Sequence, residues 1–247
     1  MSFSKIARVY DQFNDLSAYE HWLDFTLHSA SKAPQKLLDV ACGTGWFTQI
    51  IAPFVDGVTL GVDIDVAMLE MAREESHYEG APLFEQGDML DLSSFDTDYD
   101  IVTCYADSLC FLKDENEVAQ AIEQMYQRLN DQGVLLFDVW TPYQLNEGFE
   151  NFSYADTNEE AAILWDSYPL GNNEVEHYLT TFEAQEDGRY IRQDSVLVER
   201  TYPLSIFEDA LKNAGFSSFE VSVEYGEEIY DPKRHTRATR WFFRCYK

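Results

Sequence analysis

The chain has 247 residues, 45% of them hydrophobic and 15% aromatic, and a formal net charge of −28. That apolar content can fill one large core, which excludes a disordered chain. A surface this acidic repels phosphate backbones, which excludes unaided binding to nucleic acid or an anionic membrane.

The first residues, Met1 to Ile6, carry no continuous apolar leader segment, and no run reaches the length of a membrane span. A cytoplasmic protein is expected. The spacing of apolar residues predicts a first helix over Ala18–Ser29, with Trp22 and Phe25 on its buried side. Strand and helix then alternate. Lys36–Ala41 reads as a strand running into a helix over Phe47–Phe54. Gly57–Val62 is the next strand, followed by a helix from Asp65 to His77. Leu83–Gln86 and Asp100–Tyr105 are the third and fourth strands. In "DENEVAQAIEQMYQRLNDQG" the residues Val118, Ala121, Ile122, Met125 and Leu129 recur at helical spacing. Val134–Trp140 is a fifth, buried strand. Such alternation predicts an α/β fold with a doubly wound, mostly parallel sheet.

The rhythm changes after Thr141. Residues 142–202 are rich in aromatic and β-branched residues, with turns at Gly171-Asn172-Asn173 and Asp187-Gly188, and predict an antiparallel β-rich insertion. The α/β pattern returns with a helix over Ser205–Ala214, stopped by Gly215, and strands over Phe219–Tyr225 and Arg240–Tyr246. The expected core is therefore 1–141 plus 203–247, interrupted by 142–202. The four cysteines (Cys42, Cys104, Cys110, Cys245) lie far apart, so neither a metal site nor a disulfide framework is expected.

Chemistry concentrates in "KLLDVACGTGWF", Lys36 to Phe47. A glycine turn between strand and helix lets a ligand approach the backbone at the strand's C-terminal end, where open α/β sheets bind their ligands. Asp63, at the end of the second strand, stands at the distance from Gly45 at which a carboxylate meets a ribose. A nicotinamide-binding turn would carry a third glycine, and that position is Thr48. The ligand expected is a nucleoside other than a dinucleotide.

Four segments in order, "LLDVACGTGWF", "GVDIDVAMLEMAR", "QGDMLDL" and "GVLLFDVWTPY", resemble the motifs of class I S-adenosylmethionine-dependent methyltransferases. The opening "IARVYDQFND", the "YADSLCFL" after the fourth strand and the β-rich insertion narrow the likeness. They are similar to bacterial small-molecule methyltransferases related to glycine/sarcosine and aminosugar N-methyltransferases. The resemblance implies a seven-stranded Rossmann-like sheet and methyl transfer from S-adenosylmethionine to a nitrogen or oxygen of a small acceptor, leaving S-adenosylhomocysteine. It also implies residue roles. Gly43 and Gly45 flank the methionine moiety, with Asp39 and Ala41 near its amino group, and Tyr105 and Ala106 lie by the same portion. Asp63 takes the ribose hydroxyls, Ile64 and Met68 face the adenine, Asp88 takes the adenine amino group, and Met89 offers its N–H. Ala41 replaces the first glycine of the family's usual turn.

A sulfonium is cationic and attracts aromatic faces. Tyr10, Tyr19 and Trp22 are the expected walls, with Tyr10 also closing over the site and contributing to turnover. His177 is the candidate base, and Asp107 and Ser108 are alternatives. Trp165, Tyr178, Arg192 and Arg200 could face the substrate, although alternation alone leaves open which side of each strand points inward. Three functions compete: a small-molecule methyltransferase, an RNA-modifying one relying on a basic partner, and a non-catalytic cofactor sensor. The insertion could be a substrate lid or a homodimer surface.

Overall fold

The computed structural model describes residues 7–13, 16–30 and 32–247. Two helices, α1 (Ala7–Gln12) and α2 (Leu16–Ser29), precede β1 (Lys36–Val40). Then follow α3 (Trp46–Ile51), β2 (Val58–Asp63), α4 (Val66–Glu74), β3 (Leu83–Gln86), β4 (Tyr99–Cys104), α5 (Glu115–Arg128) and β5 (Leu129–Trp140). The next strands are β6 (Ser153–Thr157), β7 (Ala161–Gly171), β8 (Glu174–Ala184) and β9 (Tyr190–Arg200). The chain closes with α6 (Leu204–Ala214), β10 (Ser218–Val223), β11 (Glu228–Ile229) and β12 (Arg240–Tyr246).

The main sheet has the order β11-β10-β12-β5-β4-β1-β2-β3. Strands β1 to β5 pair in parallel, and at one side β12 runs antiparallel to both of its neighbours, β5 and β10. The seven expected strands are all present, with the two-residue β11 added at the edge. Adjacent residues Leu37 and Leu38 of β1 are both fully buried, because helices cover both faces. Leu38, Val102 and Phe137 meet Val118, Ile122 and Met125 of α5 and Phe207 of α6. On the opposite face Leu37, Ile101 and Leu136 meet Trp22 and Phe25 of α2 and Phe47 and Ile51 of α3. Chain order reverses between β1 and β4, which makes the C-terminal ends of those strands the ligand side.

Strands β6 to β9 form a separate antiparallel sheet. Its β7–β8 turn places Gly171, Asn172 and Asn173 at φ 80°, 55° and 61°, the left-handed region that Gly and Asn tolerate best. Along β8, Val175, His177, Leu179 and Thr181 are buried whereas Tyr178 is exposed, so one face points inward. That inner face packs Ile163, Leu179 and Leu197 onto Phe13, just past α1, and Phe111, in a short turn after β4.

Three boundaries depart from expectation. Helix α1 precedes the first expected helix. Strand β5 begins at Leu129 rather than Val134, because Leu129 pairs with Tyr99 and buries its own side chain. A single π-turn, Gln144–Gly148, separates β5 from the small sheet. Among the described residues no helix is long and apolar enough to cross a membrane.

Candidate functional site

The turn after β1 holds Ala41, Gly43 and Gly45 at φ 58°, 56° and 81°. The two glycines have different reasons to be glycine. A Cβ on Gly45 would stand 2.6 Å from the Phe84 ring and 2.9 Å from Ala72, so this position lets α3 close onto β3 and α4. A Cβ on Gly43 would meet only the Met68 sulfur, at 3.5 Å, so its side is open toward a ligand. The Gly43 N–H donates to Asp63 Oδ2 and the Asp65 N–H to Asp63 Oδ1, each at 2.8 Å. Burial pushes the Asp63 carboxyl up, and these N–H groups partly offset it. Beyond Asp63, Ile64 is 64% exposed and Val66 44%. Asp88 is exposed and accepts the Leu90 N–H at 2.9 Å, while Met89 is half-buried against the core. An open glycine, a buried acid and exposed apolar side chains on adjacent strand ends form a donor set that fits a nucleoside sulfonium.

Asp39 lies beneath this turn rather than in it. Its carboxylate accepts the Thr48 hydroxyl at 2.6 Å and the Thr103 hydroxyl at 2.7 Å. Burial pushes it up to about 6, against the pull of the two hydroxyls. Asp39 thus braces β1 against α3 and β4 from beneath the turn.

Asp11 of α1 was not singled out by sequence, yet it clamps the turn. Its carboxylate accepts the Thr44 hydroxyl at 2.8 Å and the Trp46 indole N–H at 2.7 Å. Nothing local in "YDQFND" announces a contact with a segment thirty-odd residues away. The Tyr10 side chain lies outside the described residues. Tyr19 sits edge-on to Trp22 at 5.3 Å and tilted against Trp46 at 6.2 Å, next to the turn. Trp22 is 6% exposed and stacks on Tyr105, whose hydroxyl shares a 2.8 Å hydrogen bond with Thr26. Trp22, expected as a cofactor wall, and Tyr105, expected by the methionine portion, are both members of the core between α2 and the main sheet.

A second polar centre lies beyond the ends of β4 and β5. Ala106 and Asp107 both adopt left-handed φ, 54° and 52°. Asp107 Oδ1 pairs with Arg240 at 2.6 Å, and Arg240 also bonds the buried Asp138 while lying 3.7 Å over the Trp140 ring. Ser108 donates its hydroxyl to the Tyr105 carbonyl at 2.7 Å. From the small sheet's inner face comes His177, 1% exposed. Its Nδ1 accepts the Trp165 indole N–H at 3.1 Å and lies 2.7 Å from the Ser167 hydroxyl. Burial lowers His177 to about 4. An indole N–H can only donate, so neutral His177 carries its proton on Nε2. It therefore has no lone pair facing outward and is unsuited to the expected role of base. Glu199, also unforeseen, faces that Nε2 at 3.8 Å.

Trp165 shares the inner face with His177, whereas Tyr178 and Arg192 project from the outer one. Tyr178 donates to Glu176, and Arg192 pairs with Asp194 in solvent. Arg200, on the same side by alternation, bonds Glu174 and the Leu112 carbonyl at 3.1 Å each. The structure thus separates these three from Trp165 and His177.

The methyltransferase-domain family matches residues 37–133. A Geobacillus sp. (strain WCH70) protein bearing a methyltransferase name is 32% identical over 234 residues, which span 92% of this chain and 94% of that protein. Among solved structures, a S-adenosylmethionine-dependent methyltransferase from Clostridium acetobutylicum ATCC 824 aligns with TM-score 0.84 and 23% identity, over 99% of this chain and 98% of that one. CalS10 of Micromonospora echinaspora, an amino pentose methyltransferase solved with S-adenosylmethionine bound, aligns with TM-score 0.73 and 20% identity, over 100% and 98%. With its glycine turn, strand order and full-length kinship taken together, the chain belongs to the S-adenosylmethionine-dependent methyltransferases.

Proposed function

We propose that the protein methylates a nitrogen or oxygen of a small-molecule acceptor seated between the glycine turn and the inner face of the small sheet. One observation carries this reading. The inner face packs through Phe13 and Phe111 onto the segment after α1 and the turn after β4, and α1 is itself clamped to the glycine turn by Asp11. The small sheet and the cofactor turn therefore share the ligand side of the main sheet.

In this reading Gly43, Asp63, Ile64 and Met68 hold the cofactor's nucleoside side, and Asp88 and Met89 extend that grip past β3. Tyr19 and Trp46 line the approach. Bound there, S-adenosylmethionine supplies an electrophilic methyl group. The chain's own work is to align the acceptor and exclude water, which alone accounts for much of such a reaction's acceleration. Residues 142–202 act as the lid. The likeness to an amino pentose methyltransferase supports a small-molecule acceptor, and the net charge of −28 agrees with a neutral or cationic one.

Incubation with radiolabelled S-adenosylmethionine and either a small-metabolite extract or total RNA tests the proposal. Label is expected in the metabolite pool and not in RNA. Label in RNA alone would overturn it, and so would retention of S-adenosylhomocysteine without any turnover.

A further inference from the structure

Strand β4 meets β1 where the sheet order reverses, and it ends in a turn whose residues do not suit its shape. Ala106 and Asp107 are the central pair, both left-handed, and the Ser108 N–H closes the turn onto the Tyr105 carbonyl at 3.4 Å. Turns of this hand favour Asn-Gly, because a Cβ crowds the backbone there. An alanine keeps such a conformation only where its surroundings over-determine it, and residues of that kind gather at functional sites. Ala106 is also exposed, and neither its N–H nor its carbonyl has a partner among the described residues.

Charge brought from elsewhere in the fold holds the turn. Asp107 Oδ1 pairs with the Arg240 guanidinium at 2.6 Å, and the Asp107 N–H donates to Asp138 Oδ2 at 3.2 Å. Arg240 stands opposite Trp140 in the β12–β5 ladder and bonds Asp138 as well, so one guanidinium joins the turn to β5. Its central carbon lies 3.7 Å from the centre of the Trp140 ring, which fixes it from a third side. The Arg240 and Asp107 side chains are 14% and 13% exposed, and Asp138 is fully buried. Among the described residues no other cation pairs with either carboxylate. Glu199 of β9 interacts with Asp107 too, so the small sheet reaches the same turn. A buried ion cluster contributes little net stability, because desolvation offsets its attraction. Its effect here is geometric.

We propose that Arg240 is a positioning residue for methyl transfer, fixing the turn after β4 so that the Ala106 peptide groups orient the acceptor. This deepens the small-molecule reading above, which seats the acceptor between the glycine turn and the small sheet. Arg240 acts through Asp107 and Asp138 rather than by touching the acceptor. It keeps Ala106 at the C-terminal end of β4, where the order reversal places the ligand. The Ala106 carbonyl and N–H, left without protein partners, remain available to hold an acceptor in line.

Arg240→Lys keeps the charge but lacks the fork that answers two carboxylates at once. With labelled S-adenosylmethionine and metabolite extract, its labelling should fall by about 100-fold, the loss that a misplacement of about 1 Å produces. S-adenosylhomocysteine affinity by calorimetry should stay within about threefold, because Gly43 and Asp63 are untouched. Adding Ala106→Gly to Arg240→Lys should recover about tenfold of the lost labelling, since glycine adopts the left-handed turn unaided. A brace serving stability alone would leave labelling at the wild-type rate below the melting temperature. Wild-type labelling by Arg240→Lys would therefore overturn the assignment. A parallel fall of labelling and cofactor affinity would also overturn it, since Arg240 would then serve cofactor binding. Label confined to RNA would remove the small-molecule reading alone, and the same wild-type to variant ratio, measured on RNA, would decide Arg240. Retention of S-adenosylhomocysteine without any turnover would remove both.

Discussion

Replacing Asp63 with alanine is expected to weaken S-adenosylhomocysteine binding by about 100-fold, with the protein still folded. Charge-assisted hydrogen bonds contribute roughly 1.5–3 kcal/mol, which is about 10- to 150-fold in affinity. Two features of the structure place the loss toward the upper end. The carboxylate would hold the ribose, and it already holds the N–H groups of Gly43 and Asp65. Alanine therefore frees the turn as well as removing the ligand contact. Asparagine is no mild control, because its amide NH2 would confront one of those two N–H donors. Calorimetry on Asp63→Ala and Asp63→Asn should find both strongly weakened. Wild-type affinity in either would remove Asp63 from the site.

Asp39 should give the protein a pH-dependent stability that Asp39→Asn lacks. Burial raises its folded-state value to about 6, so folded Asp39 keeps a proton over a pH range in which the unfolded chain has released it. The folded state then binds more protons, and unfolding free energy falls as pH rises through that window. This contribution is fully present below about pH 4 and is lost above about pH 6, a change of roughly 3 kcal/mol. Measured by urea unfolding, Asp39→Asn should therefore gain on wild type by about that amount between pH 4 and pH 7. Any fixed cost of the asparagine cancels in the comparison across pH. A difference that does not change with pH would mean that Asp39 titrates normally.

The parts of the fold set by local pattern were legible from sequence. Strand β1 is a short apolar run because both its faces are covered, and the same holds for β4 and β5. The glycine turn and Asp63 were legible because backbone conformation restricts those positions to few residue types. Asp11, Asp138, Glu199 and Arg240 were not. Each takes its meaning from a partner far away in the chain, and Glu199 in "VLVER" reads as an ordinary strand-end acid. The small sheet shows the limit of alternation. It sorts His177 from Tyr178 correctly, but with Trp165 and Tyr178 on opposite faces, aromatic content cannot say which face is inward. Trp22 was ambiguous for a related reason. Its ring suits a cation as well as a core, and the Tyr105 ring on which it stacks lies far away in the chain.

A crystal structure with S-adenosylhomocysteine bound would test most directly whether the small sheet covers the reacting end of the cofactor. The sulfur is expected to lie between the glycine turn and the loop after β4, with the vacant methyl direction pointing at the inner face that carries His177 and Glu199. A sulfur turned toward solvent or toward α2, with that inner face remote from it, would contradict both the lid and the acceptor site proposed within it.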